Sequence, residues 1–316
     1  MEKVQEGEGE RTKRQFEVAC IPAYNEERNI AKVILSASKH VDLVIVCDDG
    51  SSDMTADIAE KMGALVVRHH KNEGYGAALK TAFLEAIRFK PDIIVTLDGD
   101  GQHSSSDIPA LKEKILSKEA EVVIGSRFLN EKNGVSKYRT AGIKSVNVAT
   151  NGLAKIGLTD TQSGLRAYSG RAIQLIAPKM VEVGMGASLS ILMKANSEGF
   201  RIVEVPASVN YNTGGKTSKK NSLSHGLELF MSLLTLVTEQ KPIVYIGIPA
   251  FLSLVVGIGS LVVVIDMFNA SRILPVGTAL LAIAATLVGL ILGSLAIFLH
   301  AMNRRFRELE SARSKS

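Results

Sequence analysis

The sequence predicts a doubly wound α/β domain followed by a transmembrane helical hairpin. Two observations carry this. Between residues 16 and 126, short apolar runs rich in branched residues alternate with amphipathic stretches, and polar clusters stand repeatedly where the runs end. Two uncharged stretches, 243–265 and 273–299, are each long enough to cross about 30 Å of hydrocarbon as a helix. A buried soluble helix rarely stays uncharged on every face for so long.

Residues 1–15 are polar and charged and read as a mobile tail. The first strand spans 16–21 and runs into Pro22-Ala23-Tyr24-Asn25-Glu26, where proline ends the ladder. A helix follows from about Glu26 with Ile30, Val33 and Ile34 on one face. The second strand, 43–47, closes on Asp48-Asp49-Gly50-Ser51-Ser52-Asp53, where Ser52 or Asp53 can cap the next helix. A third strand at 64–67 leads through Asn72-Glu73-Gly74-Tyr75-Gly76 into a helix carrying Leu79, Phe83 and Ile87. Gly74 and Gly76 before that helix suit backbone amides presented to phosphate, or serve only the turn. The fourth strand, 93–97, delivers Asp98-Gly99-Asp100-Gly101-Gln102.

A helix over 107–118, a strand over 122–124 ending at Gly125-Ser126-Arg127-Phe128, and a basic helical stretch over 138–156 with Arg139 and Lys144 come next. The polar segment 159–168 is too Gly-punctuated for simple core. A helix near 189–197 and a strand over 201–205 complete the domain. Residues 212–220 form a basic loop with Lys216 and Lys219. Over 221–240, apolar residues at helical spacing read as a helix lying in a membrane interface, or as one packed on the domain.

The net charge is +5 with a pI near 9.1, but the basic residues cluster around the apolar spans and the chain has no Trp for base stacking. Anionic lipid explains the charge better than nucleic acid. The hairpin turn, read at 266–272, carries one basic residue, whereas Lys241 flanks one inner end and Arg304, Arg305, Arg307, Arg313 and Lys315 follow the other, in a basic tail over 301–316. The positive-inside rule puts the large domain and that tail in the cytoplasm. No apolar h-region near the start suggests a cleaved signal peptide. Cys20 and Cys47 lie in strand patterns and read as core thiols.

Chemistry concentrates at the strand ends. Asp98 and Asp100 with Gln102 are hard oxygen ligands suited to Mg²⁺ or Mn²⁺ beside a substrate phosphate; a solvated Asp-Gly turn is the alternative. Arg127 at a strand end suits phosphate, or a surface ion pair. His69, His70, His103 and His225 show no triad or zinc spacing and read as surface or loop residues.

Together Pro22-Ala23-Tyr24-Asn25-Glu26, Asp48-Asp49-Gly50-Ser51, Asp98-Gly99-Asp100-Gly101-Gln102 and Gly125-Ser126-Arg127 resemble a family 2 glycosyltransferase of GT-A fold, over 16–220. Residues 160–166 (Asp-Thr-Gln-Ser-Gly-Leu-Arg) resemble the signature of its polyprenyl (dolichyl) phosphate sugar synthases. The resemblance implies that Pro22, Tyr24, Asn25, Glu26, Asp48, Asp49 and Gly74 hold a UDP- or GDP-sugar with Asp98, Gly99 and Asp100. It implies a metal on Asp98, Asp100 and Gln102, with Asp98, Asp100 and Arg127 catalytic. Arg127, Arg139, Lys144, Ser163, Arg166, Lys216 and Lys219 would meet the acceptor phosphate and lipid. Where the family often has Glu-Arg, this chain has Tyr211-Asn212. A neutral acceptor, such as a lipid-linked saccharide or glycerolipid hydroxyl, would instead need a base, with Asp160 the nearby candidate. An inactive nucleotide-sugar-binding scaffold would have no reason to keep the Asp98–Asp100 pair. The oligomeric state is not legible.

Overall fold

The computed structural model describes residues 14–129, 157–180, 186–210 and 242–313, with side chains as far as residue 305 in the last segment. The chain divides into two compact units, Met1–Leu229 and Phe230–Ser316.

The first unit is built on one seven-stranded sheet. Its strands are β1 (Glu17–Ala23), β2 (Leu43–Asp48), β3 (Leu65–Arg68), β4 (Ile93–Thr96), β5 (Val122–Ser126), β6 (Arg166–Ser169) and β7 (Ile202–Pro206), in the order β3-β2-β1-β4-β6-β5-β7. All neighbours pair parallel except β6, which is antiparallel to both β4 and β5. Between the strands lie α1 (Ile30–Ala37), α2 (Thr55–Lys61), α3 (Tyr75–Arg88) and α4 (Ile108–Leu116), with α5 (Gly170–Ile176) and α6 (Ala187–Ser197) later in the chain.

Alternation of side chains gives the sheet two buried faces. Val18, Cys20, Ile45, Cys47 and Ile94 pack with Leu79, Ala82 and Phe83 of α3. Ala19, Ile21, Val44, Val46 and Val95 pack on the other face with Ile30, Val33 and Ile34 of α1 and Leu111 of α4. Both cysteines are free and buried, and burial pushes both thiols up, as expected of core residues.

The chain leaves β1 for β2 and β3 on one side, then returns to β4 on the other. The strand order therefore reverses between β1 and β4, and their carboxyl ends open the crevice where ligands of α/β sheets bind. Asp48, Asp98 and the Pro22–Glu26 loop all stand at that edge.

Strand β6 was not expected. Arg166 and the glycine before it argue against a strand, but the guanidinium is satisfied internally, so the residue is 2% exposed within the sheet. The first helix starts at Ile30 rather than near Glu26, because residues 26–29 form a hydrogen-bonded turn on the Glu26 carbonyl. Of the expected N-terminal tail, Arg14 is described, and it pairs with Asp42 at 2.6 Å.

In the second unit a π-helical turn (Ile243–Gly247) leads into α7 (Ile248–Ser271), and α8 spans Val276–Arg313. Pro249 lacks the N–H that would close the preceding α-helical turn, which accounts for the widened π geometry. The two helices are long and apolar enough to cross a membrane over Ile243–Ser271 and Val276–Arg305. They pack closely: Gly257 abuts Thr286, Gly289 abuts Leu254, and the Ser253 hydroxyl donates to the Ala285 carbonyl at 2.8 Å.

Two boundaries differ from expectation. No Gly or Pro interrupts residues 266–271, so α7 carries Asp266 within it and ends at Arg272, whose φ of 54° makes a left-handed cap. Likewise nothing breaks the helix after Leu299, and the expected basic tail continues α8 to Arg313.

Candidate active site

Two loops at the sheet edge are sewn together. Asn25, in the left-handed region at φ 55°, donates its N–H to Ser51 Oγ (2.9 Å) and accepts the Ser52 N–H at its side-chain oxygen (2.9 Å). The Glu26 N–H donates to Thr55 Oγ1 (2.7 Å), and the Asp53 carboxylate accepts the Thr55 and Glu27 N–H groups, although the N-cap position of α2 is Met54. The Asp49 N–H donates to the Ala23 carbonyl. This clasp holds Pro22, exposed Tyr24, Glu26 and Asp48 together at the sheet edge. Asp48 is buried; one oxygen accepts the Ser51 N–H at 3.3 Å, and the other has no partner among the described residues.

Asp49 turns the other way. Its carboxylate accepts from the Glu73 and Gly74 amides (2.9 and 2.8 Å) and from His69 Nδ1 (2.7 Å), whose Nε2 meets Thr81 Oγ1 at 2.9 Å. A carboxylate only accepts, so Nδ1 carries the proton. The Gly74 amide, expected at a phosphate, is thus bonded to Asp49 in this structure. His69, expected as a surface or loop residue, is a half-buried loop member of this latch.

The Asp98–Gln102 turn forms the centre of the site. Gly99 packs against Pro22 and Ala23, and Gly101 takes φ +69°. Asp100 accepts the Gln102 N–H at 2.9 Å. Asp98 Oδ1 is buried without a partner among the described residues, while Oδ2 lies 3.6 Å from His103 Nε2. Burial pushes the Asp98 carboxyl up, yet His103, the Tyr75 hydroxyl and Arg127 outweigh it and hold it below its ordinary range. Burial pushes Glu26 up; the Asn29 amide opposes this, and the charges of Asp100, Asp53 and Asp98 add to the rise. Anions gathered this way suit a cation.

Arg127 and Asp160 form a buried ion pair, Nε to Oδ2 at 2.6 Å and Nη2 to Oδ1 at 2.7 Å, with the Arg127 N–H also on Oδ2. Glu204 fixes the Thr159 and Asp160 amides behind it. Arg166 donates from Nε, Nη1 and Nη2 to the carbonyls of Ser163, Ser188 and Thr161, and Thr96 Oγ1 donates to the Gly164 carbonyl. Arg166, expected at the acceptor, is a brace for the 160–164 turn, and buried Ser163 bonds within that turn.

Leaving the sheet after β7, the chain runs beside the acidic turn: His103 bridges Val209, and the Asn210 N–H donates to the Gln102 carbonyl at 2.8 Å. Lys216, Lys219, Arg139, Lys144 and the 221–240 segment lie outside the described residues. Sequence reasoning missed His103: a lone histidine has no spacing signature, and only its position directly after Gln102 pointed to the site.

Among the described residues, no three His, Cys, Asp or Glu side chains gather as a self-sufficient metal cage. Asp98, with one buried oxygen unpartnered among the described residues, and Asp100 nevertheless fit a hard divalent ion that takes its remaining ligands from phosphate and water.

Comparison with known proteins agrees with this geometry. The family model for glycosyl transferase family 2 matches residues 18–174. An uncharacterised protein of Methanocaldococcus jannaschii is 33% identical over 217 residues, covering 68% of this chain and 89% of that protein. The UDP-N-acetylglucosamine–dolichyl-phosphate N-acetylglucosaminyltransferase of Methanococcus voltae is 30% identical over 236 residues, covering 68% and 94%. Among solved structures, glucosyl-3-phosphoglycerate synthase from Mycobacterium tuberculosis, crystallised with Mn²⁺, UDP and phosphoglyceric acid, superposes with a TM-score of 0.53 at 22% identity, covering 70% and 78%. The last likeness concerns the fold, and it bears out the GT-A architecture expected.

Proposed function

We propose, since this chain belongs to glycosyl transferase family 2, that it transfers a hexose or N-acetylhexosamine from a UDP- or GDP-sugar to polyprenyl phosphate at the cytoplasmic membrane face. The observation that carries this reading is the pairing of an acidic turn, Asp98 to Gln102, with a buried Arg127 at one sheet edge. The Methanococcus voltae relative, named for a dolichyl-phosphate acceptor, supports the acceptor class.

Each group then has a task. Pro22, Tyr24 and Glu26 frame the nucleoside, and the unpartnered Asp48 oxygen accepts an N–H of the base. Asp98, Asp100 and Gln102 hold Mg²⁺ or Mn²⁺, which when bound supplies Lewis-acid neutralisation of the departing diphosphate. The acceptor phosphate is already an anion and needs positioning more than a base. Arg127 lends it positive charge, with Lys144 or Arg139 and the 212–220 loop as further cations. Both Asp160 oxygens are engaged by Arg127, which argues against Asp160 as the base that a neutral hydroxyl acceptor would require. Attack opposite the leaving group inverts the anomeric centre, so an α-linked donor gives a β-linked lipid phosphate. The two apolar helices keep the domain at the lipid headgroups, with the basic residues on the cytoplasmic side.

The test is incubation of the full chain in detergent with radiolabelled UDP- and GDP-sugars, polyprenyl phosphate and Mn²⁺ or Mg²⁺. A mild-acid-labile glycolipid, abolished by EDTA, is the expected product. Label found only in neutral glycolipid or free sugar overturns the reading.

A further inference from the structure

We propose that His103 is a positioning residue for Asp98, setting the aim of that carboxylate toward a bound cation and donor diphosphate. The inference rests on the reading of the acidic turn given above. Three sides of Asp98 are occupied by this chain. Gly164 forms the floor: a Cβ there would lie 2.1 Å from Oδ2 and 2.4 Å from Oδ1. The Tyr75 hydroxyl, at the start of α3, faces the same carboxylate. His103 closes the third side, with Nε2 3.6 Å from Oδ2. Oδ1 is left buried and without a partner among the described residues, so one carboxylate oxygen keeps its lone pairs for a ligand.

His103 is itself firmly placed. Its side chain is 5% exposed, its backbone bridges Val209, and Nδ1 has no partner among the described residues. Its polar contact is therefore with Asp98. At 3.6 Å that contact is longer than a hydrogen bond, and contacts of this kind tighten when the complex assembles. Partners that orient a ligating carboxylate from behind commonly govern metal affinity by about 10–100-fold.

The geometry separates an aiming role from mere packing. Gln at 103 carries an amide N–H to the place of Nε2, Asn is too short to reach it, and Leu keeps the bulk without a donor. In detergent, Mn²⁺ binding in the presence of UDP, then GDP, is read from the loss of the free Mn²⁺ resonance signal, with melting temperatures and donor KM measured alongside. We expect His103→Leu and His103→Asn to melt near wild type and to bind Mn²⁺ about 10-fold more weakly. His103→Gln should recover most of the affinity and the donor KM. Should His103→Leu fail to fold, the ordering of Gln above Asn carries the same result. Equal Mn²⁺ affinity in all variants, or equal loss in Gln and Asn, overturns the role of His103 while leaving the site intact. A wild-type chain that binds no Mn²⁺ with either nucleotide overturns the site reading, and this inference with it.

Discussion

The wholly buried carboxylate of Asp160 grips the Arg127 guanidinium through both oxygens, at 2.6 and 2.7 Å, and takes the Arg127 N–H as well. Such a pair fixes a cation where the acceptor phosphate is proposed to arrive. Asp160→Asn leaves Arg127 buried without its counter-charge, and breaking a buried pair from one side costs about 3–5 kcal/mol. For a domain of this size that corresponds to a fall in Tm of roughly 10 °C. Thermal unfolding in detergent should show it; an unchanged Tm would mean that Arg127 finds its charge balance elsewhere.

Gly164 has no side chain because Asp98 occupies the space. Gly164→Ala forces the carboxylate aside, and misplacement by about 1 Å can cost 10²-fold in rate. The expected result is kcat/KM reduced about 100-fold with an unaltered circular dichroism spectrum. Activity within a few-fold of wild type would show that Asp98 tolerates displacement.

Glu26 links the site to pH. Burial, then the charges of Asp100, Asp53 and Asp98, raise its carboxyl above the ordinary 4.5 despite the Asn29 amide. The folded chain therefore holds this proton more tightly than the unfolded chain. Its stabilising contribution is complete below the ordinary value and is lost as pH rises through the raised one. Glu26→Gln, neutral throughout, should melt a few degrees above wild type at pH 7, and the difference should vanish near pH 4. The same offset at both pH values would assign the effect to packing instead.

Much of this arrangement was legible in the sequence. Strands β1, β2, β4 and β5 are apolar runs that lead into Tyr24, Asp48, Asp98 and Arg127, although Pro22 lies within β1 instead of ending it, and a parallel sheet brings such ends to one edge. Strand β6 was hidden, because a buried Arg166 is tolerated only when carbonyls receive its guanidinium, and one of the three, that of Ser188, comes from a segment 22 residues away. His69 was hidden for a related reason, since its partner Asp49 comes from another strand end, whereas His103 follows the same strand as Asp98 but carries no spacing signature. Asp49, just past the end of β2, accepts the Glu73 and Gly74 amides and so ties that loop to the strand end. The hairpin turn was misplaced because Asp266 was read as a boundary, although one acidic residue does not end a helix.

The central claim is that the acceptor brings its own negative charge to Arg127, with Asp160 bound to that guanidinium rather than serving as a base. Initial rates with polyprenyl phosphate and with the uncharged polyprenol of equal chain length test it most directly, with Asp100→Ala as the inactive control. The account predicts metal-dependent transfer to the phosphate, none to the alcohol, and none in the variant. Comparable transfer to polyprenol would contradict it.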